Sequence, residues 1–423
     1  MNLELKKIAL SLYVTIFVIV IAALVVVWYF TRSFVTIKIS PSAATVRIDG
    51  KVYRTQNGTV KTVLEPGTHE VVVESADSIG TSQEIDLNRG SNQDVNVVLA
   101  EMPKPVKIAS DAKMTSRGND FNSLYYLGDN GHTLFRVKLG LDDKTGEIKT
   151  LEHRAITDTK LANNKEIVWS PSGQLALFRK NNNDVNIVDF AKYDFVNQTE
   201  VLWGRNIGSV AWAPDNSEIA YYYNSGTGEE SLILSDLPNT DITRVADFGA
   251  YNISNPLLRW SPDSEWLLVI PRNSDYKSNK IFLFNAYSRS IKEFTSEGDQ
   301  LDAIFSPDSN KVLFSTYSKD PSSSIPGTLS VMDKDGNNLR NLGLRADLSK
   351  VVWAKDSKHI IVSTFDPELK HDEIFRFNTE TGEKDGFVLR NLGDIAINNI
   401  VLSDDEKMVI YETKDGVFAV KVN

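Results

Sequence analysis

A short motif that recurs along the larger, C-terminal part of the chain constrains the fold more than any other feature. Each copy has an apolar segment ending in an aromatic residue, then a turn of the type Ser-Pro-Asp, then a second apolar segment. Proline fixes φ at the second position of the turn, and Asp bonds its own backbone. The copies recur at intervals of roughly 43 to 49 residues, with equivalent positions at Pro171, Pro214, Pro262, Pro307, Lys355 and Asp404.

Each repeat has room for four strands. Around Pro262, residues 266–270, 281–284 and 290–294 follow as second, third and fourth strands. Four antiparallel strands in about 45 residues is typical of a propeller blade. After the first motif, the third strand is predicted at 185–188.

The region 104–423 has the length of seven such blades, with six or eight as open alternatives. Residues 123–127, 133–137 and 147–152 predict strands two, three and four of a blade that precedes the first motif. The final repeat supplies only three strands. Since an open ring would leave an unpaired edge, Val106–Ala109 is predicted to provide the missing strand.

These motifs resemble the TolB-like, WD-related propeller repeat, whose consensus is apolar-x-Trp-Ser-Pro-Asp-Gly. The residues that carry the resemblance are Ile167–Gly173, Val210–Asn216, Leu258–Ser264 and Ala303–Ser309. Glycine stands only at Gly173, while Asn216, Ser264 and Ser309 replace it elsewhere. The resemblance implies a scaffold that binds proteins or small glycans on one face, and it implies no chemistry.

The N-terminus carries a membrane-anchor signal. Residues 8–30 contain no charge, and as a helix of about 1.5 Å per residue they would span the hydrocarbon core. Lys6 and Lys7 precede this run while Arg32 alone follows closely, which predicts a cytoplasmic N-terminus by the positive-inside rule. We therefore assign residues 1–34 to a cytoplasmic tip and signal-anchor, and expect the remainder outside the cytoplasm. A cleaved signal peptide and a buried core helix are the alternatives.

Residues 35–101 alternate apolar and polar side chains between turns such as Asp49-Gly50 and Pro66-Gly67, which predicts a small β-sandwich. Residues 41–44, 46–50 and 64–73 together resemble a PEGA domain, a β-module of prokaryotic envelope proteins. The resemblance implies a spacer or adhesion role. The whole chain is thus predicted to be all-β after its helix.

Composition and residue patterns argue against most chemistry. The chain has no cysteine, which excludes disulfides, thiolate metal sites and thiol nucleophiles, and its net charge of −10 disfavours nucleic-acid binding. The motif aromatics are interpreted as packing between blades, and residues 333–338 as a hairpin. The histidines occur singly, so no catalytic, cofactor or metal residues are predicted; they are His69, His132, His153, His359 and His371.

Loops between the second and third strands of each blade vary in length and composition, as binding surfaces on rigid scaffolds do. These loops are 181–183, 224–230, 271–280, 318–327 and 364–372. The sequence therefore predicts a membrane-anchored, non-catalytic binding or scaffold protein of a prokaryotic envelope, whose partner is an envelope protein or a cell-surface glycan. The alternatives are a glycan-active hydrolase or lyase that uses channel carboxylates, and a sensor with a separate cytoplasmic partner.

Overall fold

The chain divides into two compact units, residues 1–102 and 103–423. The structure is a computed structural model. It describes residues 3–75, 78–114, 123–128, 132–157, 161, 167–180, 188–272, 280–295, 300–316, 327–366, 371–389 and 396–422.

Unit 1 begins with one long helix, α1 (Leu3–Thr31). The window Ser11–Trp28 has a mean hydropathy of 2.7, and none of it is buried in the protein. By length and composition the helix can cross a membrane, as the sequence predicts.

Two sheets that share one apolar core form the rest of unit 1. The strands are β1 (Ser33–Ser40), β2 (Thr45–Ile48), β3 (Lys51–Tyr53), β4 (Thr59–Leu64), β5 (Gly67–Ser75), β6 (Ser78–Leu87) and β7 (Asn92–Val98). Their orders are β4-β1-β7 and β3-β2-β5-β6, with β1 and β7 parallel. Val35 and Ile37 of the first sheet lie in the same core as Val71 and Val73 of the second, which confirms the predicted sandwich.

Two strands of this sandwich were not predicted from the sequence. Strand β4 turns Val60, Thr62 and Leu64 toward the core, so a polar residue stands in the middle of its apolar face. Strand β3 is only three residues long and contributes no fully buried side chain. Neither strand therefore has a clear period-2 pattern of apolar residues.

Unit 2 consists of strands that pair antiparallel with their neighbours in the chain. The sheets are β12-β11-β10-β9, β13 to β19 in order, β20 to β23, β24 to β27, β28 to β31, and β32-β33-β34-β8. The strands are β8 (Val106–Ala109), β9 (Lys113–Met114), β10 (Ser123–Gly128), β11 (Thr133–Leu141), β12 (Ile148–Ala155), β13 (Ile167–Trp169), β14 (Leu175–Arg179), β15 (Val188–Asp194), β16 (Thr199–Trp212), β17 (Ile219–Asn224), β18 (Glu230–Ser235), β19 (Ile242–Asp247), β20 (Leu257–Trp260), β21 (Trp266–Ile270), β22 (Phe282–Asn285), β23 (Ser290–Glu293), β24 (Gln300–Phe305), β25 (Lys311–Thr316), β26 (Thr328–Asp333), β27 (Arg340–Arg345), β28 (Val351–Trp353), β29 (His359–Asp366), β30 (His371–Asn378), β31 (Lys384–Leu389), β32 (Ile397–Leu402), β33 (Met408–Thr413) and β34 (Gly416–Lys421).

The long strand β16 joins two four-stranded groups into one seven-stranded sheet, because its first half pairs with β15 and its second half with β17. The described strands therefore form seven groups of four, which we number blades 1 to 7 in chain order. The all-β propeller fold is as predicted. The number of blades stays a prediction, and this grouping supports it.

One strand extends beyond its predicted range. The described part of the third strand of blade 2 is β15 (Val188–Asp194), whereas the prediction was 185–188, of which 185–187 lie outside the described residues. Phe190 and Tyr193 are buried, and residues 190–194 of β15 pair with β14. The polar residues Asp189, Lys192 and Asp194 within β15 obscure its apolar pattern in the sequence.

The strand that completes blade 7 comes from the beginning of unit 2, as predicted. Strand β34 pairs antiparallel with β8, and Ala419 lies opposite Val106. Blade 7 also shares an apolar cluster with blade 1, in which Met408 and Val417 join Leu124 and Val137. The first and last blades are thus in direct contact.

Apolar side chains fill the spaces between neighbouring blades. For example, Trp169 and Phe178 of blade 2 cluster with Tyr125 and Leu134 of blade 1. The motif aromatics belong to such clusters: Trp169, Trp212, Phe305 and Trp353 are buried and Trp260 is half-buried. Their predicted role in packing between blades is confirmed.

Serines that replace the consensus glycine connect neighbouring turns. Each has a positive φ, and its Oγ accepts a hydrogen bond from the backbone N–H of the Asp in the preceding blade. The pairs are Asp215–Ser264 (3.0 Å), Asp263–Ser309 (3.1 Å) and Asp308–Ser357 (3.0 Å). The departure from the glycine consensus thus provides a polar contact between blades.

We expect Ser309→Ala to destabilise unit 2 more than Ser309→Gly. Alanine removes the acceptor for the Asp263 N–H, which costs about 1 kcal/mol, and keeps the unfavourable positive φ of 62°. Glycine also removes the acceptor but adopts this backbone conformation freely. Urea unfolding followed by tryptophan fluorescence measures the order, and equal or reversed losses would show that the φ constraint is not significant.

We expect Gly416→Ala to weaken the closure of blade 7. A Cβ at Gly416 would lie 2.1 Å from the carbonyl oxygen of Ala109 in β8, and φ is +126°. Gly336→Ala is the matched control, because Gly336 also has a positive φ but has no atom within 4 Å of the added Cβ. Both variants incur about 1–3 kcal/mol of backbone strain. The unfolding midpoint should fall further for Gly416→Ala, and equal falls would contradict a tight closing contact.

Candidate functional site

The described histidine side chains are distributed over both units of the chain. His69 is in unit 1, His132 and His153 are in blade 1, and His359 is in blade 6. The backbone of His371 begins β30, but its side chain lies outside the described residues. Among the described side chains, no group of three or more His, Asp or Glu has the geometry of a metal site.

His359 lies between two carboxylates at the turn of blade 6. Its Nδ1 is 2.5 Å from Asp356 Oδ2, its Nε2 is 2.5 Å from Asp385 Oδ2, and Arg376 also binds Asp356 at 3.1 Å. Burial raises the pKa of Asp356, but the backbone N–H groups of His359 and Lys358, together with the His359 ring, lower it more, to about 2. These contacts connect three strands of one blade, so the cluster has a structural role.

Acidic side chains at the blade junctions bind the neighbouring blade. The Ile397 N–H of blade 7 donates to the buried Asp372 of blade 6 at 2.7 Å. The Met114 N–H of blade 1 donates to Glu412 of blade 7 at 2.8 Å, and burial raises the pKa of Glu412. Arg259 of blade 4 binds Asp302 of blade 5 at 2.9 Å. Each of these carboxylates thus stabilises a junction between blades.

The turns between the third and fourth strands contain a recurrent feature that the sequence analysis missed. The first residue is Asp or Asn, and its side-chain oxygen accepts backbone N–H groups two to five residues later. These residues are Asp142, Asp194, Asp236, Asn285 and Asn378. The Lys149 ammonium and the N–H groups of Thr145 and Lys144 lower the pKa of Asp142 to about 2.

Residues 333–338 form the turn between the third and fourth strands of blade 5, β26 and β27. The hairpin predicted there is therefore present.

Strand direction divides the propeller into two faces. The Ser-Pro-Asp turns and the turns between third and fourth strands lie on one, which we call the turn face. The loops between second and third strands and the connections between blades lie on the other, the loop face.

Most of the predicted variable loops are only partly described. Loop 181–183 lies outside the described residues, as do residues 273–279, 318–326 and 367–370 of three other loops. The loop 224–230 is described throughout.

Around this loop, three segments of the loop face are held together. The Phe248 N–H donates to the Glu230 carbonyl at 3.0 Å, and the Arg272 N–H donates to the Ser254 carbonyl at 3.2 Å. Residues 224–230, 248–256 and 271–272 therefore form one continuous surface, which we call the blade 3–4 rim.

The blade 3–4 rim is ordered by internal contacts and exposes polar and aromatic groups. The Gly226 N–H donates to Asn224 Oδ1 at 2.7 Å, and Glu229 binds Arg244 at 2.6 Å. Tyr251 is 43% exposed, although its ring and that of Phe282 meet in a T-shaped arrangement with the centroids 6.0 Å apart. Arg272, in the third segment of the rim, is also exposed. Such a surface offers charge, hydrogen bonds and an aromatic ring to a partner.

No protein-family model matches the chain, and no curated protein matches it. Among solved structures, the oligogalacturonate lyase from Vibrio parahaemolyticus is similar, with a TM-score of 0.53 and 10% identity over 76% of this chain and 97% of that one. An oligogalacturonate lyase in complex with manganese has a TM-score of 0.52 and 13% identity, over 76% and 98%. TolB from Acinetobacter baumannii has a TM-score of 0.39 and 16% identity, over 77% and 80%. At these identities, the two lyases show a common propeller fold and nothing further.

His69 gives unit 1 a predictable response to pH. Its Nδ1 is 2.6 Å from Asp49 Oδ2 and its Nε2 is 2.8 Å from the Glu65 carbonyl. The contact with Asp49 is the largest influence and raises the pKa of His69, burial opposes the rise, and the Glu65 carbonyl supports it. Because the folded-state pKa is raised, the stabilisation is complete below about pH 6.5 and is lost as the pH rises through the folded pKa.

We therefore expect NMR titration of the ring protons to give His69 a midpoint above about 6.5, and Asp49→Asn to lower that midpoint. The urea midpoint of unit 1, followed by amide signals of its strands, should fall over the same pH range in the wild-type protein. His153→Gln, which changes an exposed histidine of unit 2, is the control and should preserve both results. An unchanged midpoint in Asp49→Asn would disprove the role of this contact.

Proposed function

We propose that the chain is a membrane-anchored binding or scaffold protein of the prokaryotic cell envelope and is not an enzyme. The helix α1 anchors it, with Lys6 and Lys7 on the cytoplasmic side and both β-rich units outside the cytoplasm. Unit 1 acts as a PEGA-like spacer. The propeller binds an envelope protein or a cell-surface glycan through its loop face.

The blade 3–4 rim is the observation that carries this proposal. When a partner binds an ordered surface, the protein loses little conformational entropy. Less of the free energy gained from the contacts is therefore cancelled by ordering the protein. Tyr251 and Arg272 belong to residue types enriched at protein interfaces, and here both are exposed. The described acids at the blade junctions instead form contacts with neighbouring blades, which supports binding over catalysis.

A second candidate is a glycan-active lyase or hydrolase, which the common fold with two oligogalacturonate lyases favours. Such an enzyme would need acidic groups or a metal in the propeller channel. Incubation of the full-length protein with oligogalacturonate, with and without manganese, tests this candidate directly. Release of shorter oligogalacturonates by the protein would support the enzyme and contradict the proposal that the protein is a non-catalytic scaffold.

We expect a photo-crosslinker at Tyr251 to capture a partner in membranes of the producing cell, and one at Tyr287 to capture none. Each tyrosine is replaced by benzoylphenylalanine in the full-length protein, which retains an aromatic ring. Tyr287 is the matched control because it is 79% exposed but belongs to a turn on the opposite face. Mass spectrometry of the crosslinked products identifies the partner and the contact.

Crosslinks from Tyr287 with none from Tyr251 would move the binding surface to the turn face. Absence of crosslinks from both positions, in a protein that unfolds cooperatively, would contradict the blade 3–4 rim as a binding surface. Tyr251→Ala should then leave any partner complex intact, whereas our proposal expects at least a tenfold loss of affinity, or about 1.4 kcal/mol.

A further inference from the structure

We propose that one end of the unit-1 sandwich rests on the lipid headgroup layer, with the turns 65–67 and 88–91 in contact with it. This inference rests on the proposed anchoring by α1. It adds which surface of the protein meets the membrane and how the first β-rich unit is held there.

The connection between the helix and the sandwich is short and fixed. Helix α1 ends one residue before β1 begins, and Arg32 is the residue between them. The Gly90 N–H donates to the Arg32 carbonyl at 3.0 Å, and the Arg32 guanidinium binds Glu65 at 2.5 Å. The Ser33 hydroxyl donates to the Asn88 carbonyl at 2.6 Å. Both turns are therefore bound to the residues where the chain leaves the helix.

Aromatic packing at the helix end sets the depth of the sandwich. The rings of Trp28 and Phe34 meet edge to face, with their centroids 6.4 Å apart and an interplanar angle of 85°. Tryptophan at the end of a membrane-spanning helix favours the interface between hydrocarbon and water. Since Phe34 is the second residue of β1, this strand begins close to the interface.

Strand pairing defines which end of the sandwich faces the membrane. Ser33 pairs with Leu64 and Phe34 pairs with Asn92, so the turns after β4 and before β7 lie at the helix end. Ser40 pairs with Val98 at the other end. From Phe34 to Ser40, β1 advances six residues at about 3.3 Å each. Val98 therefore lies about 20 Å further from the helix end than Asn92.

The side chains at the helix end suit a headgroup layer. Arg89 is exposed there, and Pro66, Gly67 and the Asn88 side chain add no large apolar group. Exposed cations close to a membrane surface are attracted to phosphate groups. A surface with this composition contacts the polar layer and does not enter the hydrocarbon.

The absence of cysteine from the sequence permits single-cysteine labelling of the otherwise native full-length protein. We would attach a fluorophore to Asn88→Cys, Val98→Cys or Val20→Cys and place each protein in phosphatidylcholine–phosphatidylglycerol vesicles. Lipids with a nitroxide on the headgroup test Asn88→Cys and Val98→Cys. Lipids with a nitroxide in the acyl chain test Val20→Cys, which reports insertion of α1.

We expect acyl-chain quenching at Val20→Cys, headgroup quenching at Asn88→Cys, and at least threefold weaker headgroup quenching at Val98→Cys. Insertion of Gly-Ser-Gly-Ser between Thr31 and Arg32 should lower the quenching at Asn88→Cys and leave that at Val20→Cys unchanged. Quenching at Val20→Cys together with weak or equal quenching at the other two positions would overturn this inference and leave the anchor intact. Absence of acyl-chain quenching at Val20→Cys would overturn the anchor itself, and this inference with it.

Discussion

Burial of apolar side chains between neighbouring blades is the interaction on which the propeller depends. A single four-stranded sheet cannot cover both of its faces, so each blade is stable only when the next one packs against it. Clusters such as that of Trp169 with Tyr125 therefore join pairs of blades. Polar contacts at the junctions, from the serines of the turns and from Asp372 and Glu412, fix how the blades align.

This division of roles explains why the interior of the propeller is a poor guide to function. The conspicuous residues of the repeat, its aromatics and its Ser-Pro-Asp turns, stabilise the fold. In a repetitive scaffold, the repeats differ mainly in the connections between strands, because the length and composition of these connections can change without loss of packing. The blade 3–4 rim is the part of these connections that the structure describes in most detail, and its contacts keep Tyr251 and Arg272 on an ordered support.

The sequence predicted features that depend on strong local patterns. The Ser-Pro-Asp turns, the apolar helix and the closing strand at Val106–Ala109 each follow from residue type and spacing. Strands β3 and β4 were not predicted, and of the described part of β15 only Val188 was predicted. Thr62 and Lys192 interrupt the apolar patterns, and pairing with neighbours determines these strands. The blade 3–4 rim could not be assembled from the sequence, since it joins residues 224–230 to 271–272 through hydrogen bonds between segments that are distant in the chain.

Closure by β8 has a consequence for how the chain matures. Strands β8 and β34 are separated by roughly 310 residues, so their pairing is among the most non-local contacts in the protein and forms slowly. During synthesis from the N-terminus, β8 has no partner until the last strand has been made. A chain truncated before β34 can pack neighbouring blades against one another but cannot pair β8, and the unpaired strand edge exposes it to aggregation and proteolysis. Pairing of β8 with β34 therefore requires that synthesis has proceeded at least through Lys421.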